Sequence, residues 1–143
     1  MKIEICLNLI KPISLNHSTK ITTRGKFASK YKTDSYKQLE SAINLQMRKY
    51  KNELNKFNNK YSETKHYLVA EYRYYYPILI KAGNRISKKS GDTSNNIKVI
   101  EDCVFKHLMA DDSQVISLQA TKIHSNDIRT EITLELKDLK YIC

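Results

Sequence analysis

This sequence has little cysteine, glycine, proline or tryptophan, and it has no long apolar run. Its three cysteines are widely separated and form no Cys-x-x-Cys pair, so we interpret them as free thiols of an intracellular protein. The lack of an apolar run excludes a transmembrane helix, which needs roughly 18 apolar residues. Residues 3–9 alternate apolar and polar side chains, which favours a half-buried strand over a signal peptide.

Acidic residues are also scarce relative to basic ones. The chain has 25 Lys and Arg against 15 Asp and Glu, a formal net charge of +10. Because the basic residues are spread from Lys11 to Lys140, we expect an electropositive surface that attracts nucleic acid. A compositional bias towards Lys and Asn, in a chain with few Gly and Pro, is the alternative explanation. A membrane surface is disfavoured because no basic amphipathic helix stands out.

The spacing of apolar residues predicts one domain, 1–143, with an α+β fold. The expected order is strand, helix, strand, helix, strand, strand, with two helices packed on a mixed sheet. The first helix opens at a capping box, Ser35-x-x-Gln38, and the second is capped by Asn95 or Ser94. The predicted elements are strand 2–9, helix 35–54, strand 65–76, helix 96–108, and a terminal hairpin of strands 114–123 and 129–136.

Three connecting segments are predicted to be irregular. Residues 11–33 form a long loop, and loops of this length in compact domains are usually functional or disordered; we favour a functional one. Residues 55–64 form a polar linker, and a second basic segment lies between Pro77 and Gly91. The two basic segments are expected to contact DNA phosphates without reading bases, although a solvated surface position is an alternative for each side chain. The candidates are Lys20, Arg24, Lys26 and Lys30 in the first segment and Arg85, Lys88 and Lys89 in the second.

Carboxylates crowd around the second predicted helix without an obvious packing reason. Mg²⁺ held by one or two carboxylates supplies the activated water and the charge neutralisation that phosphodiester hydrolysis needs. Asp92, Asp111 and Asp112 are suitable metal ligands, and Lys98 is a candidate catalytic cation for the phosphate. Asp92 and Asp112 are also predicted to be catalytic. Taken singly, each residue is better explained as a turn residue, a solvated helix residue or part of a loop, but together they favour a site.

Two geometric questions follow from these positions. Adjacent side chains before a strand point to opposite faces, so only one of Asp111 and Asp112 is expected to face the site; we choose Asp112, leaving Asp111 as a turn cap or an indirect contributor. A helix over 96–108 is roughly 20 Å long, which places Asp92 and Asp112 at opposite ends. Either the helix is shorter and the chain doubles back, or a partner subunit completes the site.

These motifs together resemble the central signature of the RusA-type Holliday-junction resolvases, small dimeric nucleases of bacteria and their phages. The resemblance covers Gly91 to Lys122 and extends loosely to the 12–30 loop, where the family also has an asparagine, which adds Asn16 to the DNA-binding candidates. It implies a RusA-like fold, a crossover-junction endodeoxyribonuclease, Mg²⁺ or Mn²⁺ as cofactor, branched DNA as substrate, a homodimer and a cytoplasmic location. The matching residues are Asp92-x-x-Asn95-x-x-Lys98, Glu101-Asp102 and Asp111-Asp112-Ser113-Gln114-Val115.

The chain departs from the family pattern at Ser94, where a second aspartate commonly stands. Either Asp92 and Asp112 hold the metal with help from water or the Asn95 amide, or metal binding is weakened. Two hypotheses therefore stay open: a metal-dependent nuclease that nicks branched DNA, which we favour, and a catalytically weak or inactive DNA-binding or regulatory protein of the same fold.

Overall fold

A computed structural model describes residues 1–13, 19–25 and 27–142 of the chain. It has an α+β architecture with a mixed four-stranded sheet, as the sequence predicts. Within the described ranges, no helix combines the length and the apolar character needed to cross a bilayer. Two of the three cysteines lie in these ranges, Cys6 and Cys103, and both are free thiols.

The main sheet has the strand order β1-β6-β4-β5. Strand β4 pairs with β5 in parallel and with β6 in antiparallel orientation, and β1 is antiparallel to β6. Alternate residues of β4 are buried because one face of the sheet is covered by helices. The strands are β1 (Lys2–Asn8), β2 (Thr19–Arg24), β3 (Phe27–Lys32), β4 (His66–Tyr76), β5 (Val115–His124) and β6 (Arg129–Asp138).

The predicted terminal hairpin is wrong, because β5 and β6 lie on opposite sides of β4 and do not pair with each other. The four-residue link between them crosses the end of β4, where Ser125 N donates to Tyr76 O at 3.2 Å. From sequence alone, two strands joined by a short turn look like a hairpin. The position of β4 between these two strands depends on contacts between residues far apart in the sequence, so no local pattern predicts it.

The predicted first helix is two helices, α1 (Asp34–Met47) and α2 (Lys51–Lys60), separated by a 3-10 turn over Arg48–Tyr50. At this turn the Tyr50 hydroxyl accepts from Cys6 N at 2.8 Å and donates to Cys6 O at 3.2 Å. The continued helix also replaces most of the predicted 55–64 linker, because Phe57 extends the apolar face and is fully buried. A periodic pattern cannot distinguish a continuous helix from two that bend around a strand.

The predicted 11–33 loop contains a hairpin, β2 and β3, that turns at Gly25 with φ +61°. The β-branched and aromatic residues on either side of this glycine are a strand signal that outweighs the polar composition. Residues 14–18 and 26, which include the DNA-binding candidates Asn16 and Lys26, lie outside the described residues.

Helix α3 (Thr93–Phe105) connects β4 to the parallel β5 and begins earlier than predicted. Its N-cap residue is Asp92, not Asn95 or Ser94, and the first helical bond runs from Asn96 N to Asp92 O at 3.0 Å. The sequence prediction chose Asn95 or Ser94, although aspartate is an equally common type of N-cap residue. Gly91 has φ +75°, and that turn lets the helix start at once.

Candidate active site

The segment before α3 is held by side chains from three elements. The carbonyl oxygen of Ser90 accepts from the Tyr76 hydroxyl at 2.6 Å and from Asn96 Nδ2 at 3.3 Å. Lys122 Nζ donates to Gly91 O at 2.8 Å. A Cβ on Gly91 would lie 3.1 Å from Asn96 Oδ1 and crowd that side chain, and the φ of +75° is one that other residues rarely adopt. The position of Asp92 is therefore fixed by β4, β5 and α3.

Asp92 is exposed at the start of α3, and its carboxylate makes no capping hydrogen bond to the described part of the helix. A carboxylate at a helix N-terminus is stabilised by the helix dipole even without a capping bond. Asp92 precedes Lys98 by six residues, which corresponds to roughly 9 Å along the helix axis. Its carboxylate is thus exposed to solvent at the N-terminus of α3, between one and two turns before Lys98.

A cluster of three charged side chains, which we call the Lys98 cluster, forms on the exposed side of α3. It consists of Lys98, Asp102 and Asp112. Lys98 Nζ lies 2.9 Å from Asp102 Oδ1 and also donates to Asp112 Oδ2. Hydrogen bonds to Asp112 and then to Asp102 raise the pKa of Lys98 above its ordinary value. Lys98 therefore stays protonated, and its ammonium group holds the Asp102 and Asp112 carboxylates close together.

The contact between Lys98 and Asp112 shows that the chain doubles back after α3. Asp112 lies in a 3-10 turn, Asp112–Gln114, directly before β5. Asp111 is oriented differently: its carboxylate accepts from Ser113 N at 2.9 Å and caps this turn. The Ser113 hydrogen bonds lower the pKa of Asp111. The two adjacent aspartates thus diverge, and Asp112 is the one that reaches α3.

A buried acid lies behind the cluster. Glu101 is on the inner side of α3, and Tyr72 donates to its Oε2 at 3.4 Å. Burial raises the pKa of Glu101 above its ordinary range, and the Lys98 charge opposes that rise. Sequence reasoning placed Glu101 only in the family signature, because its contact with Tyr72 depends on how α3 packs on β4.

The Lys98 cluster borders an open cleft of about 430 Å³, which we call the α1–α3 cleft. Its lining includes Asp102 and Asp112 together with Lys32, Tyr36 and Lys106. Oxygen donors beside open solvent suit Mg²⁺, which is usually bound by one or two carboxylates with water and substrate completing its shell. Within the described ranges, no three His, Cys, Asp or Glu residues group closely enough to hold a metal alone. The donor set therefore fits an ion that water and substrate help to coordinate.

The structure brings together some of the predicted site residues and not others. Lys98 and Asp112 are in contact, whereas Asp92 lies at the start of α3 and Asp111 faces Ser113. Asp102 was not predicted to belong to the site, although its spacing of four residues from Lys98 was a usable signal.

The DNA-binding candidates among the described residues lie on two surfaces. Lys20 and Lys30 are exposed on the β2–β3 hairpin, and Arg24 belongs to β2. The second surface leads directly into Asp92, through an isolated bridge between Leu79 and Ile86 and a 3-10 turn. Its exposed basic residues are Arg85, Lys88 and Lys89.

Comparison with known proteins gives one family. A family model described as Endodeoxyribonuclease RusA matches residues 10–135, which is most of the chain and includes the whole Lys98 cluster. No curated protein sequence matches the chain.

Proposed function

This chain belongs to the RusA family of endodeoxyribonucleases, and on that premise we propose that it is a divalent-metal-dependent nuclease that cuts branched DNA. The observation that carries the proposal is the convergence of Asp102 and Asp112 on the Lys98 ammonium at the border of an open cleft. The excess of basic residues, with a formal net charge of +10, supports attraction of a polyanion such as DNA to this surface.

Asp112 would be the main carboxylate for the ion, with Asp102 beside it. Asp92, at the start of the same helix, is the further predicted ligand. Mg²⁺ or Mn²⁺, when bound, supplies an activated water and neutralises charge on the phosphate. Asp111, also a predicted ligand, caps the turn that carries Asp112 and contributes to the site by holding that turn. The ammonium of Lys98 donates to a phosphate oxygen and stabilises the charge that develops there.

The substrate we propose is a Holliday junction or another branched DNA, cut by paired nicks. A two-fold homodimer would present two sites to the symmetric arms of such a junction. The basic residues on the hairpin and on the segment before Asp92 contact the phosphate backbone, which explains attraction to DNA without base readout.

A gel assay tests the function directly. Purified protein is incubated with four-way, three-way and linear duplex DNA, with and without Mg²⁺ or Mn²⁺. We expect nicks in the four-way junction only when a divalent ion is present, because hydrolysis needs the activated water. Intact four-way DNA across a full titration of both ions would overturn the catalytic proposal.

The second candidate function is a DNA-binding or regulatory protein without cleavage. Ser94 favours it, because serine cannot supply the negative charge of the aspartate that commonly stands at this place in the family. Such a protein would bind junctions in the same assay, and divalent ions would change its affinity only by ordinary screening.

A mixed-subunit experiment tests which protomer supplies each aspartate. We expect a mixture of Asp92→Asn and Asp112→Asn subunits to stay inactive, because Asp112 already reaches Lys98 of its own chain and Asp92 begins the same helix. Cleavage of the four-way junction is measured after the subunits have been exchanged by denaturation and refolding. Wild-type protein mixed with either variant serves as the control for exchange, and regained activity in the double mixture would show a site shared between protomers.

A further inference from the structure

A second charged group lines the α1–α3 cleft next to the Lys98 cluster. Lys98, Asp102 and Lys106 occupy successive positions four residues apart, so they share one side of α3 and its C-terminal turn. Lys106 donates to Glu40 Oε2 of α1, and Lys32 Nζ, at the end of β3, lies 2.9 Å from the same oxygen. Three elements thus bring two ammonium groups to one carboxylate oxygen, and Lys106 lies about one helical turn from Asp102.

From this arrangement we infer that Lys32 and Lys106 form a phosphate-binding pair that holds the backbone of the DNA strand crossing the α1–α3 cleft. The inference rests on the proposed nuclease function, and it assigns a place to the strand beside the Lys98 cluster. Lys32 lies in the predicted 11–33 segment but was not among its DNA-binding candidates, and Lys106 lies outside both basic segments.

Charge and hydrogen-bond capacity support a binding role for the pair. Each ammonium has three N–H donors, and Glu40 accepts one from each. Hydrogen bonds from Lys106 and Lys32 lower the pKa of Glu40, so the group carries two positive charges and one negative charge. The group of Lys32, Lys106 and Glu40 therefore has a net positive charge, and it faces a cleft that Asp102, Asp111 and Asp112 also line. The Lys32 ammonium also lies 4.7 Å from the centroid of the Tyr36 ring. Two ammonium groups at one place suit a phosphate, which offers several acceptor oxygens.

A purely structural ion pair is the competing explanation, and this chain contains one for comparison. Lys137 and Glu135 lie 2.8 Å apart on β6, with one cation for one anion. The Lys137 side chain is 43% exposed, close to 42% for Lys32 and 46% for Lys106. The pairs therefore differ in location and in net charge but hardly in exposure, which makes Lys137 a matched control.

The hairpin extends the basic surface away from the cleft. Lys30 and Lys32 are two residues apart in β3, so their side chains leave the same face of the hairpin. A strand held by Lys32 and Lys106 can therefore continue along the hairpin towards Lys30. This continuity favours a nucleic acid over a small anion as the occupant.

The test is equilibrium binding of a fluorescent four-way junction in EDTA, at several KCl concentrations. We expect Lys32→Gln and Lys106→Gln each to weaken binding about fivefold to tenfold near 100 mM salt, and to reduce the slope of log affinity against log salt by about 0.9. Lys137→Gln should change neither quantity. Glu40→Gln should tighten binding several-fold, because it leaves both ammonium groups unopposed, whereas Glu135→Gln should not.

The inference is overturned if both cleft lysine variants bind with the affinity and salt slope of Lys137→Gln, or if Glu40→Gln binds no more tightly than the wild type. Thermal melting of all variants identifies any loss of folding, and the expected gain in Glu40→Gln cannot arise from misfolding. Cleavage by the wild type is scored separately with Mg²⁺. If the wild type does not cleave but the lysine variants bind weakly, the nuclease proposal fails and the phosphate-binding pair stands.

Discussion

Replacing Asp112 with asparagine is expected to slow cleavage of a four-way junction about 10³-fold, because losing a metal ligand removes several kcal/mol of transition-state stabilisation. Asparagine keeps the shape of the side chain and removes the negative charge that faces Lys98. Junction binding in EDTA should be unchanged or tighter, since a negative charge next to a polyanion has been removed. Single-turnover cleavage with Mg²⁺ and binding without it measure the two effects separately.

Two further aspartates serve as controls for this result. Asp138→Asn changes an aspartate that is paired with Lys140 and His66 away from the cleft, and it should cleave at the wild-type rate. Asp111→Asn removes a charge but keeps a side-chain oxygen that can accept from Ser113 N, so we expect little change in stability and a much smaller loss of cleavage. If Asp111→Asn is as slow as Asp112→Asn, both carboxylates hold the ion. Wild-type cleavage by Asp112→Asn would contradict the proposed site.

Replacing Lys98 with methionine is expected to change cation binding and cleavage in opposite directions. The Lys98 ammonium lies between Asp102 and Asp112, so a divalent ion that uses these carboxylates competes with it. Without that charge, Mn²⁺ should bind about tenfold more tightly, a modest gain because these side chains are partly exposed and solvent screens them. Cleavage should nevertheless fall about 10²-fold, since the phosphate loses a positive charge that stabilises the transition state.

Mn²⁺ titration by calorimetry or electron paramagnetic resonance measures the first effect, and single-turnover cleavage at saturating Mn²⁺ measures the second. Methionine preserves the unbranched apolar stem, so packing on α3 is little changed. Lys137→Met is the matched control, because it removes a lysine from another ion pair on the surface. Tighter Mn²⁺ binding without slower cleavage would show that Lys98 only balances charge. Unchanged Mn²⁺ affinity would show that the ion does not use this pair of carboxylates.

Much of the local structure could be predicted from sequence because burial imposes a period on each element. The alternation in β1 and β4, and the apolar positions Tyr36, Leu39, Ile43 and Met47 of α1, correspond to buried side chains. The bend at Arg48–Tyr50 could not be predicted in this way, because it depends on the contact between Tyr50 and Cys6 in β1. Cys6 and Tyr50 are 44 residues apart, so a local sequence pattern cannot predict their contact.

For the candidate site, the sequence identified the residue types, and the tertiary structure determined which of their side chains are in contact. The residue types and spacing around Asp92, Lys98 and Asp112 predicted the family, and the family model that matches residues 10–135 confirmed it. The fold alone determined that Asp112 turns back to Lys98, that Asp102 joins them, and that Lys32 and Lys106 meet at Glu40. These contacts join different elements, and their geometry follows from placing β4 between β5 and β6 and packing α1 against α3.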